Sequence, residues 1–258
     1  MRTQLRPSKQ KSFWDLTGVS LEVHKSRRLW PHSCSLVRWN GREWVCKRTK
    51  GYSVSEIGGY QIAEALDLPL QPWAAFFQNA SGEKRESFES IGILVERWRE
   101  WELERPDRPL LEPARSHPQI VGRALALGVL RHGGEPPCWL VHGKDLRLID
   151  LEFIGPFVWW PPQKVPMRDY AGFTEDALRK ARLEVRKIAD AEGILESLEV
   201  GLRTLTRLEF SSVLDFSGHP CGDSIKRAIL CGLEARRRKL RRLLGCPLVS
   251  AAASKSTA

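Results

Sequence analysis

Lys47 closes the segment REWVCK. At a strand end its ammonium can reach the phosphates of a nucleotide while its aliphatic stem packs on the sheet; a solvent-facing lysine is the plainer alternative. Glu56 follows early in VSEIGGYQIAEALDL, at a distance that lets its carboxylate turn inward and hold the Lys47 ammonium toward those phosphates. Glu64, two turns later, competes for that role, and two surface glutamates on an amphipathic helix are the structural alternative. Glu96, Arg97 and Trp98 end GILVERW and lead into a connector. In a two-lobed nucleotide binder, backbone groups there meet the adenine edge and apolar side chains meet its ring; otherwise this is a core strand. Asp150 ends LRLID before a departing loop, where a carboxylate is placed to hold magnesium bridging phosphates, or to cap the next turn. An amine from an early sheet and an acidic oxygen from a later hairpin, in this order along the chain, are what phosphoryl transfer needs.

These groups need strands and a helix to position them, and the chain supplies both. VSLEVH, CSLVRW and REWVCK read as strands, and the Asn40-Gly41 pair between the last two suits a type I′ turn, because both residues tolerate positive φ. In VSEIGGYQIAEALDL, Ile57, Tyr60 and Ala63 recur at helical spacing, with Ser53 or Ser55 as first-turn caps and the paired Gly58-Gly59 as a weakness. Pro69 and Pro72 stop that helix, after which QPWAAFFQ and GILVERW read as strands joined by the polar NASGEKRES. Residues Trp101 to Pro118 are rich in proline and charge and predict an irregular connection. IVGRALALGVL is an apolar helix, and CWLVHGKDLRLIDLEF gives two strands about a turn at Gly143-Lys144. FVWWPPQKVP is too rich in proline for regular structure. Helices follow from Thr174, from near Ile194 to Glu209, and from about Asp223 to Leu244. The expected division is a basic arm over 1–18, a sheet-plus-helix lobe over 19–100, a second lobe over 101–248 and a disordered tail over 249–258.

The run WVCK, SEIGGYQIAEALDLPLQP, GILVERW, ALALGVLRHGGEPPCWLVHGKDLRLID and the late GLEARRRKLRRLL resembles the small bacterial HipA-like kinases, which share the kinase-like fold and are related in architecture to phosphatidylinositol kinases. The resemblance covers roughly Val19 to Asp150 and continues more weakly into the helical tail. It implies an α+β, two-lobed protein-kinase-like fold, with an antiparallel sheet in the first lobe and mainly helices in the second. It also implies ATP and Mg2+ as cofactors and transfer to a Ser/Thr hydroxyl of a protein. Under it Lys47 contacts ATP phosphates, Glu56 pairs with Lys47, Glu96 to Trp98 form the hinge, and Asp150 binds magnesium.

The sequence departs from that family in the loop LRHGGE. Leu130 stands where the family has the aspartate that orients the attacking hydroxyl, and Glu135 where it has a metal-binding asparagine, while Arg131 fits. Leucine neither accepts a proton nor orients a hydroxyl, whereas Glu135 is a competent magnesium ligand. His132 near neutral pH, or Glu152, are candidates for the missing base. The glycine-rich phosphate loop is absent too: the first strand turn reads HKSRRLWPHS, whose Lys25, Arg27 and Arg28 offer charge instead. A pseudokinase that binds nucleotide or a partner protein is the alternative to a working enzyme.

The chain has 258 residues, 42% hydrophobic, enough for a substantial core. No run spans a bilayer, and MRTQLRPSKQK lacks the apolar stretch of a secretory signal, so a cytoplasmic protein without membrane contact is expected. The six cysteines form no CxxC and no zinc spacing, and are read as reduced thiols. A net charge of +10 favours phosphate-bearing partners. One such partner is nucleic acid, met by Arg236, Arg237, Arg238, Lys239, Arg241 and Arg242 on the last helix. Ile225, Ile229, Leu233, Leu240 and Leu243 favour instead a packed helix with one basic face. The ten tryptophans are read as core and loop anchors.

Overall fold

In a computed structural model of the chain, the residues described are 14–16, 21–25, 34–48, 52–78, 91–104, 116–130, 138–149, 151, 167–188, 191–219 and 221–246. Their elements run β1 (Trp14–Asp15), β2 (Glu22–Lys25), β3 (Cys34–Trp39), β4 (Arg42–Lys47), α1 (Tyr52–Ala65), β5 (Trp73–Phe77), β6 (Ile91–Glu96) and β7 (Glu102–Glu104). Then come α2 (Pro118–Gly128), β8 (Cys138–His142), β9 (Asp145–Ile149), α3 (Met167–Arg186), α4 (Glu192–Arg207), α5 (Phe210–Val213) and α6 (Gly222–Leu243).

Asn40 and Gly41 take φ of +50° and +73°, as the two-residue turn demands, and β3 and β4 pair from Trp39 opposite Arg42 to Cys34 opposite Lys47. That register puts Lys47 at the far end of the hairpin. The sheet order is β1-β5-β6-β4-β3-β2, antiparallel except where β1 lies parallel to β5. A second, antiparallel sheet has the order β7-β8-β9. The fold is therefore mixed α+β with mostly antiparallel sheets.

β5 is buried at every position and β6 at all but its last. Both faces are covered, so these strands read as continuous apolar runs rather than alternating ones. Trp73, Ala75, Phe77, Ile91, Ile93 and Val95 face a core shared with α1, α2, α4 and α6. Ala74, Phe76 and Leu94 face a smaller cluster with Leu16, Val37, Trp44 and Cys46. The larger core continues without a break across the expected lobe boundary at residue 100.

Some expectations change. Trp14 and Asp15, inside the segment read as a basic arm, pair with β5; two residues are too few to leave a periodic signal. Glu102–Glu104 pair with β8 inside the segment read as irregular, because a polar edge strand carries no apolar pattern. The third helix begins at Met167 rather than Thr174. Ser55 is buried within α1 instead of capping it. The tail over 249–258 lies outside the described residues. All six cysteines are unbridged, and among the described residues no helix is long and apolar enough to cross a membrane.

Candidate functional site

β4 carries Lys47 to the edge of its hairpin, and α1 crosses behind the sheet with every residue from 54 to 60 buried. A helix apolar nearly all round belongs between layers, and here α1 lies between the sheet and the later helices. The carboxylate on its second turn is therefore forced to find a partner inside. Lys47 Nζ donates to Glu56 Oε1 at 2.9 Å; the Glu56 side chain is 0% exposed and that of Lys47 14%. The Lys47 side chain is thus mostly covered, with only a small part of it exposed.

Glu64, the competing glutamate, is engaged elsewhere: it accepts from Trp73 Nε1 at 2.8 Å. Burial pushes its carboxyl up, and the Trp73 hydrogen bond opposes that rise. The carboxylate that meets the lysine is thus Glu56.

The segment expected as a hinge is bound by its own backbone. Glu96 N–H donates to Pro72 O and Arg97 N–H to Glu43 O, each at 2.8 Å, so two donors there are spent on the sheet. Glu96 also pairs with Arg42 at 3.4 Å. Arg99, hydrogen-bonded to Glu43, holds the Glu43 carboxyl below its usual range, tying the connector back to β4. Trp98 lies 5.1 Å from Trp101 between ring centroids, and the Arg147 guanidinium lies over both rings at 5.8 and 5.6 Å. That aromatic and cationic group joins the end of the large sheet to β9.

Asp150, Arg131, His132, Glu135 and Glu152 lie outside the described residues, as do Arg27, Arg28 and the side chain of Lys25. Their flanks are placed. Leu148 N–H donates to Pro69 O at 2.8 Å, which docks β9 on the segment after α1, and Leu151 is buried. α2 ends at Val129 and Leu130, and Leu130 is 0% exposed within the main core. The leucine at the position expected to hold a catalytic aspartate is thus a packing residue. Among the described residues no three His, Cys, Asp or Glu side chains gather as metal ligands.

Arg236, which the sequence reading placed among the outward cations, and Gln61, which it passed over, also bear on this region. Arg236, on α6, is 0% exposed and donates through Nη1 to Val129 O at 3.2 Å, two residues before Arg131. Nothing in the run EARRRKLRR marks one of its arginines as internal. Gln61, on α1, forms a double hydrogen bond with the backbone of Asp215: Nε2 donates to the carbonyl at 2.7 Å and Oε1 accepts the amide at 3.2 Å.

The basic helix is likewise largely committed inward. Arg237 donates to Leu208 O at 2.7 Å, Arg241 to Thr206 O at 2.9 Å, and Lys239 pairs with Glu175 at 2.8 Å. Of the six cations named for nucleic acid, Arg238 and Arg242 are the exposed ones.

No protein-family model matches the chain, and no curated protein sequence does. Among solved structures it is similar to a Helicobacter pylori proinflammatory kinase, CtkA, with a TM-score of 0.54 at 10% identity, over 92% of this chain and 100% of that one. At that identity the likeness establishes the fold: the chain has a kinase-like fold.

Proposed function

We propose that this chain binds ATP with magnesium in the manner of a HipA-like kinase and transfers the terminal phosphoryl group to a serine or threonine hydroxyl of a protein, itself included. The observation that carries this reading is the ion pair from the end of β4 to the second turn of α1, Lys47 Nζ to Glu56 Oε1 at 2.9 Å. A charged pair with one partner fully buried gives little net stability, since desolvation consumes most of the attraction. In this reading its value lies in fixing the ammonium at the end of β4, since gripping phosphate oxygens requires a held cation.

In this reading Lys47 holds the phosphates and Glu56 holds Lys47. Asp150 and Glu135 are the residues that would bind magnesium, which supplies neutralisation of phosphate charge when bound. The acceptor hydroxyl attacks the terminal phosphorus, the bond to the bridging oxygen of ADP breaks, and His132 or Glu152 takes the hydroxyl proton.

Burial of Leu130 favours a second reading, a pseudokinase that binds nucleotide without transfer. Incubating the pure chain with radiolabelled ATP and magnesium, beside Lys47→Ala and Asp150→Ala, separates them. Label on the wild type that both substitutions remove supports the kinase. Equal signal from all three rejects transfer by this site, and thermal stabilisation by ATP that depends on Lys47 would then support the pseudokinase.

A further inference from the structure

α1 meets Lys47 through Glu56, yet its opposite side is gripped by a segment far along the chain. Between α5 and the start of α6, the described residues 214–219 and 221–222 fold tightly on themselves. Ser217 bonds Asp215 Oδ1 through its amide at 2.9 Å and its hydroxyl at 2.6 Å. His219 N–H donates to Phe216 O at 3.0 Å and Gly222 N–H to His219 O at 2.9 Å. A Cβ at Gly222 would strike the Phe216 carbonyl, so this compact turn is available only to glycine there. The turn presses on α1 at two points. Asp215 takes both hydrogen bonds of the Gln61 amide, and Leu214 with Ile229 fills the space that Gly58 leaves open, 3.5 and 3.9 Å from where its Cβ would be. His219 adds an edge contact to Phe77, at the end of β5, with ring centroids 5.4 Å apart.

We propose that Gln61 is a positioning residue: its clamp on the backbone of Asp215 fixes α1 against the 214–222 turn and so keeps Glu56 in register with Lys47. Gln61 lies five residues from Glu56 on a single rigid helix, so a shift at one is a shift at the other. A side-chain amide that both donates to and accepts from one peptide unit fixes orientation as well as distance. The helix that presents the glutamate is thereby held by the carboxy-terminal half of the chain and cannot swing without breaking that contact. The functional consequence for nucleotide rests on the reading of Lys47 as the phosphate-binding amine; the mechanical coupling does not.

The test is Gln61→Glu, which keeps the volume of the side chain but sets a carboxylate oxygen against the Asp215 carbonyl. Two readouts on the full chain are compared. The first is calorimetric affinity for Mg-ATP and for adenosine, which lacks phosphates, in the wild type, Gln61→Glu, Lys47→Met and the double variant. The expected result is a loss in ATP affinity of about fivefold for Gln61→Glu. Adenosine binding should be unchanged, and Lys47→Met should mask the Gln61 effect in the double variant. The second readout is the rate at which an amine-reactive ester acylates Lys47, followed by mass spectrometry, with Glu56→Gln marking the rate for a released amine. Gln61→Glu should move the rate toward that limit.

If ATP binding depends on Lys47 but not on Gln61, the positioning role is overturned and the nucleotide reading stands. If Lys47→Met binds ATP as the wild type does, the nucleotide reading fails and the acylation rate alone decides the clamp. A wild-type acylation rate in Gln61→Glu overturns the clamp outright. Equal losses of ATP and adenosine in Gln61→Glu would mark general loosening and also reject it.

Discussion

Among single residues, the most informative are those whose burial conflicts with their chemistry. Glu56 is the clearest, an acid with no exposure, and Lys47 answers it. His219 is another. It is buried, its Nδ1 accepts the Cys221 N–H at 3.0 Å, and its ring meets Phe77 edge-on. An acceptor at Nδ1 requires the neutral ring with its proton on Nε2. Burial accordingly lowers its pKa from the ordinary value of 6.5. The sign of the consequence follows. Above 6.5 folded and unfolded rings are both neutral and the group is silent. Below it the unfolded ring takes a proton that the folded ring refuses, so stability falls with pH until the lowered folded value is reached. Urea unfolding at pH 7.5 and pH 5.5 should show a drop in the wild type that is smaller in His219→Asn, whose amide oxygen can replace Nδ1. An equal drop in both would remove His219 as the source.

At the scale of elements, the glycines of two helices make opposite predictions from one substitution. Gly58 in α1 has its nearest neighbours at ordinary contact distance, so Gly58→Ala adds packing and removes the backbone freedom of an unfolded glycine. It should raise stability by about 0.5–1 kcal/mol. Gly122 in α2 is where α4 comes closest: a Cβ there would lie 2.6 Å from Ile194 O, Leu198 N and Ser197 Cβ. Backbone cannot yield as a side-chain tip can, so Gly122→Ala should cost about 2–3 kcal/mol. Thermal melts of the two variants beside the wild type check both signs. The same packing explains why the helix holds despite the Gly58-Gly59 pair. Helix propensity counts against those glycines, but buried between layers the helix is held by packing rather than by its own preference. Local signals otherwise did well. The Asn40-Gly41 hairpin, the β8–β9 turn and the ends of α2, α4 and α6 were legible because each is marked by turn residues or an unbroken period within a few positions.

Across the whole molecule, legibility fades with sequence separation. The Lys47–Glu56 pair joins residues 9 apart, close enough for a strand and the next helix to suggest it. The Gln61–Asp215 clamp spans 154 residues and the Arg236–Val129 bond 107, and no local pattern can announce a meeting that depends on how all the intervening elements pack. The inward arginines of the last helix are hidden for the same reason: a run of arginines looks the same whether its members face water or a carbonyl. Continuity of the main core from β6 through α1 to α2, α4 and α6 has a bearing on how the protein comes apart. With no seam in the main core at residue 100, opening either part strips the shared apolar surface of the other. Differential scanning calorimetry should record one endotherm, with calorimetric and van't Hoff enthalpies in agreement, where independently melting lobes would give two. Expressed alone, residues 1–100 would present the bared flank of α1 and β6 to water and precipitate.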